Sequence, residues 1–143
     1  MTTLLDASAA IAWCVPDEFD REAEALLAHV AADGAIVPPL WAFEIENALR
    51  NAHRRKRLSD EDARAVMLRI ASLPIRVVDA TEAPAFFGAF AISAAHDMSV
   101  YDAVYLDAAR RHGATLASRD RRVLDVARSL GIPTFSDPST SSG

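Results

Sequence analysis

Two acidic residues in this chain, Glu44 and Asp102, have no base within reach along the helix that carries them, and two more, Asp6 and Asp120, stand at the ends of short apolar runs. In the segment PLWAFEIENALRNAHRR, the residues Leu40, Trp41, Ile45, Ala48, Leu49 and Ala52 form one apolar stripe at helical spacing, and Glu44 falls inside it. Burying an ionised carboxylate is prohibitive without a partner. No base lies three or four residues from Glu44 in either direction, so its partner must come from elsewhere in the fold. Glu46 differs, because Arg50 at i+4 offers it an ordinary surface pair. The segment VYDAVYLDAARR repeats the pattern and is apolar nearly all round from Val100 to Ala109. Asp102 has only Tyr105 and Leu106 at the pairing offsets, whereas Asp107 has Arg110 and Arg111 within one turn and is expected to face water. Asp6 closes the apolar run TLLD, and Asp120 follows the run TLAS.

Acids gathered at one place have a specific chemistry. Two like charges about 4 Å apart repel by about 4 kcal/mol at an effective dielectric near 20. Either protons stay on, or a cation sits among them. Oxygen ligands without His or Cys suit Mg²⁺ or Mn²⁺ and not Zn²⁺. One or two such ions bind phosphate oxygens and assist in-line displacement at phosphorus, so the reaction class is phosphodiester hydrolysis. A plainer account exists for three of the four. Asp6 and Asp120 could each cap the helix that follows, and Ser99 with Asp102 could form a capping box. Capping does not account for Glu44.

The elements that would position these acids alternate between strand and helix. Residues 3–6 read as a short buried strand, followed by a helix over 8–14 that Pro16 closes. Ala23, Leu26, Leu27 and Val30 mark a helix over 20–32, and Gly34 ends it. A strand at Ala35–Val37 stops at Pro38 and Pro39, and helices follow over 40–56 and 60–72, the second capped by Ser59 or Asp60. Residues 75–78 read as a third strand, with helices over 82–96 and 100–112 and Gly113 as the stop. Ala114–Ser118 is strand-like, 120–129 helical, and Pro133–Phe135 could be a last edge strand. This order implies an α/β fold, one domain over 1–136, with a central, mainly parallel sheet of four to five strands covered on both faces. The tail DPSTSSG, residues 137–143, reads as flexible. In such sheets ligands bind beyond the carboxyl ends of the strands, where Asp6 and Asp120 stand.

Composition sets the outer limits. The net charge of −5 is unusual for a protein acting on a polyanion, and is reconciled with one if acids gather at a cation site while local arginines meet phosphates. The single cysteine, Cys14, reads as a small buried hydrophobe and excludes an intrachain disulfide. There is neither a signal-peptide pattern nor a membrane-length apolar run, so a cytoplasmic protein is expected. Trp13 and Trp41 lie on apolar faces and read as core. The four histidines are scattered and do not read as ligands.

The segments LLDASAAIAW, PPLWAFEIENAL and SVYDAVYLDAARRHGATLASRDRRV resemble the PIN-domain ribonucleases, in particular the VapC-type toxins of bacterial toxin–antitoxin pairs. The resemblance runs from Thr3 to about Phe135. It implies the PIN-like three-layer α/β/α fold and places the family's four acids on Asp6, Glu44, Asp102 and Asp120. Asn47 completes the E-x-x-N pattern, Ser8 is the small hydroxyl near the metal, and Ser118 replaces the threonine of the T-x-D segment. The resemblance further implies an Mg²⁺- or Mn²⁺-dependent endoribonuclease acting as the toxin of a type II pair, a homodimer, and a cognate antitoxin that blocks the site with a basic residue. The toxin–antitoxin hetero-oligomer would bind promoter DNA only through the antitoxin. Arg119, Arg121 and Arg122 flank Asp120 and are the expected RNA contacts, while the run Arg54–Arg57 suits the C-terminal end of its helix.

Two other readings remain. One is a PIN-like protein that has lost catalysis and serves as a binding partner. The other is an acid-site phosphatase, which matches poorly: the haloacid-dehalogenase type wants D-x-D where this chain has D-x-S, and both that class and the response-regulator receivers use a late lysine, whereas Lys56 is the only lysine.

Overall fold

The computed structural model describes residues 2–136. The tail expected at 137–143 lies outside them.

Among the described residues four strands, β1 (Thr3–Leu5), β2 (Ala35–Val37), β3 (Ile75–Val77) and β4 (Thr115–Ala117), form one sheet in the order β3-β2-β1-β4. Every pairing is parallel, with Leu4 opposite both Ile36 and Leu116. The three-residue runs TLL, AIV and TLA are buried throughout, as a sheet covered on both faces requires. Among the described residues seven α-helices connect and cover the strands: α1 (Ala7–Cys14), α2 (Arg21–Asp33), α3 (Leu40–Arg54), α4 (Asp60–Ala71), α5 (Ala83–His96), α6 (Val100–Arg111) and α7 (Arg121–Ser129). The result is a three-layer α/β/α arrangement. Helix α1 packs against α2, α3 and α4, while α6 lies against β1 and β4 and packs along α5 and α7.

Local chemistry explains the boundaries. Asp20, Ser59 and Ser99 each accept a backbone N–H at the start of α2, α4 and α6, so Ser59 and not Asp60 is the cap of α4. Gly34 ends α2 at φ 79°, and a Cβ there would stand 2.8 Å from the Pro74 carbonyl oxygen, so only glycine serves. Pro133–Phe135 does not extend into a strand; a single parallel bridge joins Thr134 to Leu116. The Cys14 thiol is buried and pushed up to about 12 by that burial, in keeping with a packing role.

Asp107 is the clearest departure from the sequence reading. Instead of facing water it is 2 % exposed. Arg111 Nε donates to its Oδ2 at 2.6 Å, and an Arg110 nitrogen lies 3.8 Å from Oδ1. Helix α5 makes room for it at Gly88, where a Cβ would stand 2.0 Å from Asp107 Oδ1. The two arginines that reach the carboxylate stay partly exposed themselves. The surface pair expected between Glu46 and Arg50 is not formed either: both side chains are exposed and no ion pair links them.

Candidate active site

The strand order places the site. From β1 the chain winds through β2 to β3 on one side, and β4 returns to the other side of β1. Loops at the carboxyl ends of β1 and β4 therefore diverge, leaving the crevice in which parallel sheets bind ligands. Asp6 leaves β1 at this crevice, with its backbone N–H donating to the Ala117 carbonyl at 2.9 Å. Asp120 leaves β4 three residues after Ala117 and caps α7, accepting the Val123 N–H at 3.2 Å. Glu44 sits one turn inside α3, the helix that follows β2, and Asp102 sits in the first turn of α6.

Asp6 is only 6 % exposed. Its Oδ2 accepts from the Ser118 hydroxyl at 2.6 Å and the Ser8 hydroxyl at 2.9 Å. Backbone N–H groups hold those hydroxyls in turn, Asp120 donating to Ser118 Oγ at 3.1 Å and Arg119 to Ser8 Oγ at 2.9 Å. Glu44 Oε1 accepts from the Tyr105 hydroxyl at 2.6 Å, so the partner required from elsewhere in the fold is a phenol on α6. Ser99 Oγ accepts the backbone N–H of Asp102 at 3.1 Å, so the N–H that completes the cap belongs to the Asp102 backbone.

Three of the four acids titrate above the usual carboxylate range. For Asp6 the first cause is burial, reinforced by the Asp102 charge and opposed by the Ser118 and Ser8 hydroxyls. For Glu44 it is again burial, with the charges of Asp6 and Asp102 adding to it against the Tyr105 hydrogen bond. Asp102 is raised by burial and by Asp120, with the Ser99 hydroxyl and Arg122 opposing. Each of the four acids thus stands within electrostatic reach of at least one other. Among the described residues no three His, Cys, Asp or Glu side chains converge tightly enough to chelate an ion as they stand. The ligand atoms are oxygen alone; neutral hydroxyls and N–H groups hold Asp6, Glu44 and Asp120, and none of the four carboxylates forms an ion pair among the described residues. That is the chemistry a hard divalent cation requires.

A carboxyl raised by folding destabilises the fold once ionised. The difference is absent below the ordinary carboxyl value, grows as pH rises toward the raised folded value, and is complete above it. In EDTA at pH 7, Asp6→Asn is therefore expected to melt above the wild type, with the gap closing as pH falls to about 4. Thermal melts across pH check this; a variant that melts lower at pH 7 contradicts the burial argument.

A family model described as "PIN domain" matches residues 3–129. The chain belongs to the PIN domain family. The resemblance read from its motifs is borne out. Over 133 residues it is 29 % identical to ribonuclease VapC3 of Pyrobaculum aerophilum, covering 93 % of this chain and all of that one. Its fold is shared with VapBC2 of Rickettsia felis, whose crystal structure holds a DNA fragment from their promoter, at TM-score 0.69 and 11 % identity over 94 % of this chain and 98 % of that chain. FitAcB of Neisseria gonorrhoeae also has TM-score 0.69, at 16 % identity over 96 % and 98 % of the two chains.

Around the acids of this PIN domain the arginines are placed unequally. Arg119 forms a bidentate pair with Asp20, with nitrogens 2.9 and 2.8 Å from the two carboxylate oxygens. That pair holds the Asp20 carboxyl well below its usual range. Arg122 donates to the His96 and Asp97 carbonyls, both at 2.6 Å, tying α7 to the turn between α5 and α6. Arg121 is exposed and forms no ion pair among the described residues. Asn47 is exposed on α3, and no hydrogen bond engages its side chain there. Of the run at the end of α3, Arg57 reaches Asp17 at 3.5 Å. The sequence reading missed Tyr105 and Asp20. Tyr105 was visible at i+3 from Asp102 but was weighed only as a residue that is not a base.

Proposed function

We propose that this chain is an Mg²⁺- or Mn²⁺-dependent endoribonuclease, the VapC-type toxin of a type II toxin–antitoxin pair. One observation carries the reading: four acids share one end of the sheet without an ion pair among the described residues, Asp6, Glu44 and Asp120 held by neutral donors, whereas Asp107, a buried acid outside the cluster, is neutralised by arginines. Kinship with ribonuclease VapC3 over 93 % of the chain supports the substrate class.

Asp6, Glu44, Asp102 and Asp120 would hold one or two ions. An ion bound there supplies an acidified water and charge stabilisation for in-line displacement at the phosphodiester. Ser8 and Ser118 fix the Asp6 carboxylate and keep one of its oxygens engaged. The Asp120 carboxylate is oriented by its cap to α7, whose first turn presents Arg121 to solvent for a substrate phosphate. Arg119 and Arg122 complete the proposed RNA contacts at the rim while keeping the loop after β4 in place. Cleavage would leave a 5′-phosphate and a 3′-hydroxyl.

The partners belong to the same proposal. The proposed partner is a cognate antitoxin carrying a basic residue into the acidic site, with promoter DNA bound through the antitoxin; the promoter-bound VapBC2 of Rickettsia felis, which shares the fold, supports it. Helix α5 carries no Asp, Glu, Lys or Arg and exposes Phe86, Phe87 and Phe90, an apolar face that supports a homodimer. Sedimentation of the purified chain as a monomer at micromolar concentration would count against that part. Among the described residues no helix is long and apolar enough to cross a membrane.

Metal-dependent cleavage of a mixed RNA pool tests the activity. Cleavage with Mg²⁺ or Mn²⁺ that EDTA abolishes is expected, with ligatable 5′-phosphates on the products. A folded chain, free of antitoxin, that cuts no RNA in the pool would move the weight to a PIN-like binding protein.

A further inference from the structure

Tyr105 lies one turn beyond Asp102 on α6, and its ring is 1 % exposed in the core. Packing asks only for the ring, because phenylalanine would fill nearly the same volume. The hydroxyl has another use. It donates to Glu44 Oε1 at 2.6 Å, across 61 positions of chain. One neutral group on α6 thus reaches the helix that follows β2.

The contrast within α6 shows why a phenol stands here. Five residues along from Asp102, Asp107 is held by two guanidiniums, which cancel its charge and make it a structural ion pair. Glu44 meets a donor that fixes its position, leaves its charge intact and engages one oxygen only. A glutamate has three side-chain torsions, and a single short hydrogen bond to a rigid, buried ring removes most of that freedom. Groups that orient a ligand in this way typically alter metal affinity by about 10- to 100-fold when removed.

We propose that Tyr105 is a positioning residue of this site, holding Glu44 in the orientation from which its free oxygen meets a divalent cation. The proposal rests on the metal-dependent reading above.

The test uses the full chain with Mn²⁺ as the probe. Wild type, Tyr105→Phe, Glu44→Gln and the double variant are compared by the rise in melting temperature against Mn²⁺ concentration. Tyr105→Phe is expected to unfold cooperatively in EDTA and to need about 10-fold more Mn²⁺ than wild type for the half-maximal rise. In the Glu44→Gln background the same change is expected to cost nothing further. An unchanged midpoint in Tyr105→Phe, or an equal loss in both backgrounds, overturns the proposal and marks the ring as packing alone. A wild-type chain that does not respond to Mn²⁺ overturns the metal reading itself, and this proposal with it. Should the phenylalanine variant lose its cooperative melt, 3-fluorotyrosine incorporated into the wild-type chain reads the same contact. The chain has two tyrosines, so Tyr101→Phe assigns the buried fluorine resonance. That resonance is expected to shift on adding Mg²⁺ and to stay fixed in Glu44→Gln; a shift in both overturns the coupling.

Discussion

Asp102→Asn is expected to lower metal-dependent RNA cleavage by about 100-fold or more while leaving the fold intact. The structure separates the two roles of this residue. Its backbone N–H completes the cap of α6 with Ser99, and asparagine keeps that N–H. Its carboxylate lies beside Asp120 and has no base in an ion pair with it, so its ionisation opposes folding, chiefly through burial and then through that neighbour. Replacing it removes a repulsive charge, and the variant in EDTA is expected to melt at or above the wild-type temperature at pH 7. Circular dichroism and a melt beside the cleavage assay check both halves. Loss of folding would mean that the carboxylate is structural, and retained cleavage would remove Asp102 from the site.

The largest stability effect is expected outside the four-acid cluster, at Gly88→Ala. Alanine is normally the better helix former by about 1 kcal/mol. Here its Cβ would fall 2.0 Å from Asp107 Oδ1 and 2.8 Å from Cγ. Asp107 is buried and held by Arg111 at 2.6 Å, so the carboxylate cannot swing away without breaking its pair. Breaking a buried pair costs about 3–5 kcal/mol, and forcing α5 and α6 apart costs about 1–3 kcal/mol. Net of the helical gain, a loss of about 3 kcal/mol is expected, or about 10 °C in melting temperature for a chain of this size. The cause can be isolated, since Asp107→Ala removes the obstacle. In that background Gly88→Ala is expected to be neutral or stabilising. Additive losses in the double variant would show that the two residues do not meet.

These expectations also show what the sequence could and could not disclose. Strands and helices were legible because they are short and mostly bounded by Gly, Pro or a capping residue, so periodicity and stops agreed on most boundaries to within two residues. The exception was Pro133–Phe135, where pairing stops after one bridge, a fact that depends on the path of the chain beyond β4. The acids stood out because Glu44 and Asp102 lack local bases, and the fold places both on helices that border the same crevice as Asp6 and Asp120. Local bases misled at Asp107: two arginines within one turn suggested a solvated pair, but Gly88 on another helix opens the space that buries it. The remaining silences have one origin. Tyr105 meets Glu44 across 61 residues and Arg119 meets Asp20 across 99, and nothing local in either segment encodes such a meeting.

The central claim is that Asp6, Glu44, Asp102 and Asp120 together hold a divalent cation. Its most direct test is anomalous diffraction from crystals of the chain grown with Mn²⁺. The account predicts an anomalous peak bounded by carboxylate oxygens of these residues, and its loss in Asp102→Asn. A crystal saturated with Mn²⁺ that shows no peak among the four acids, or shows one elsewhere on the domain, would contradict it.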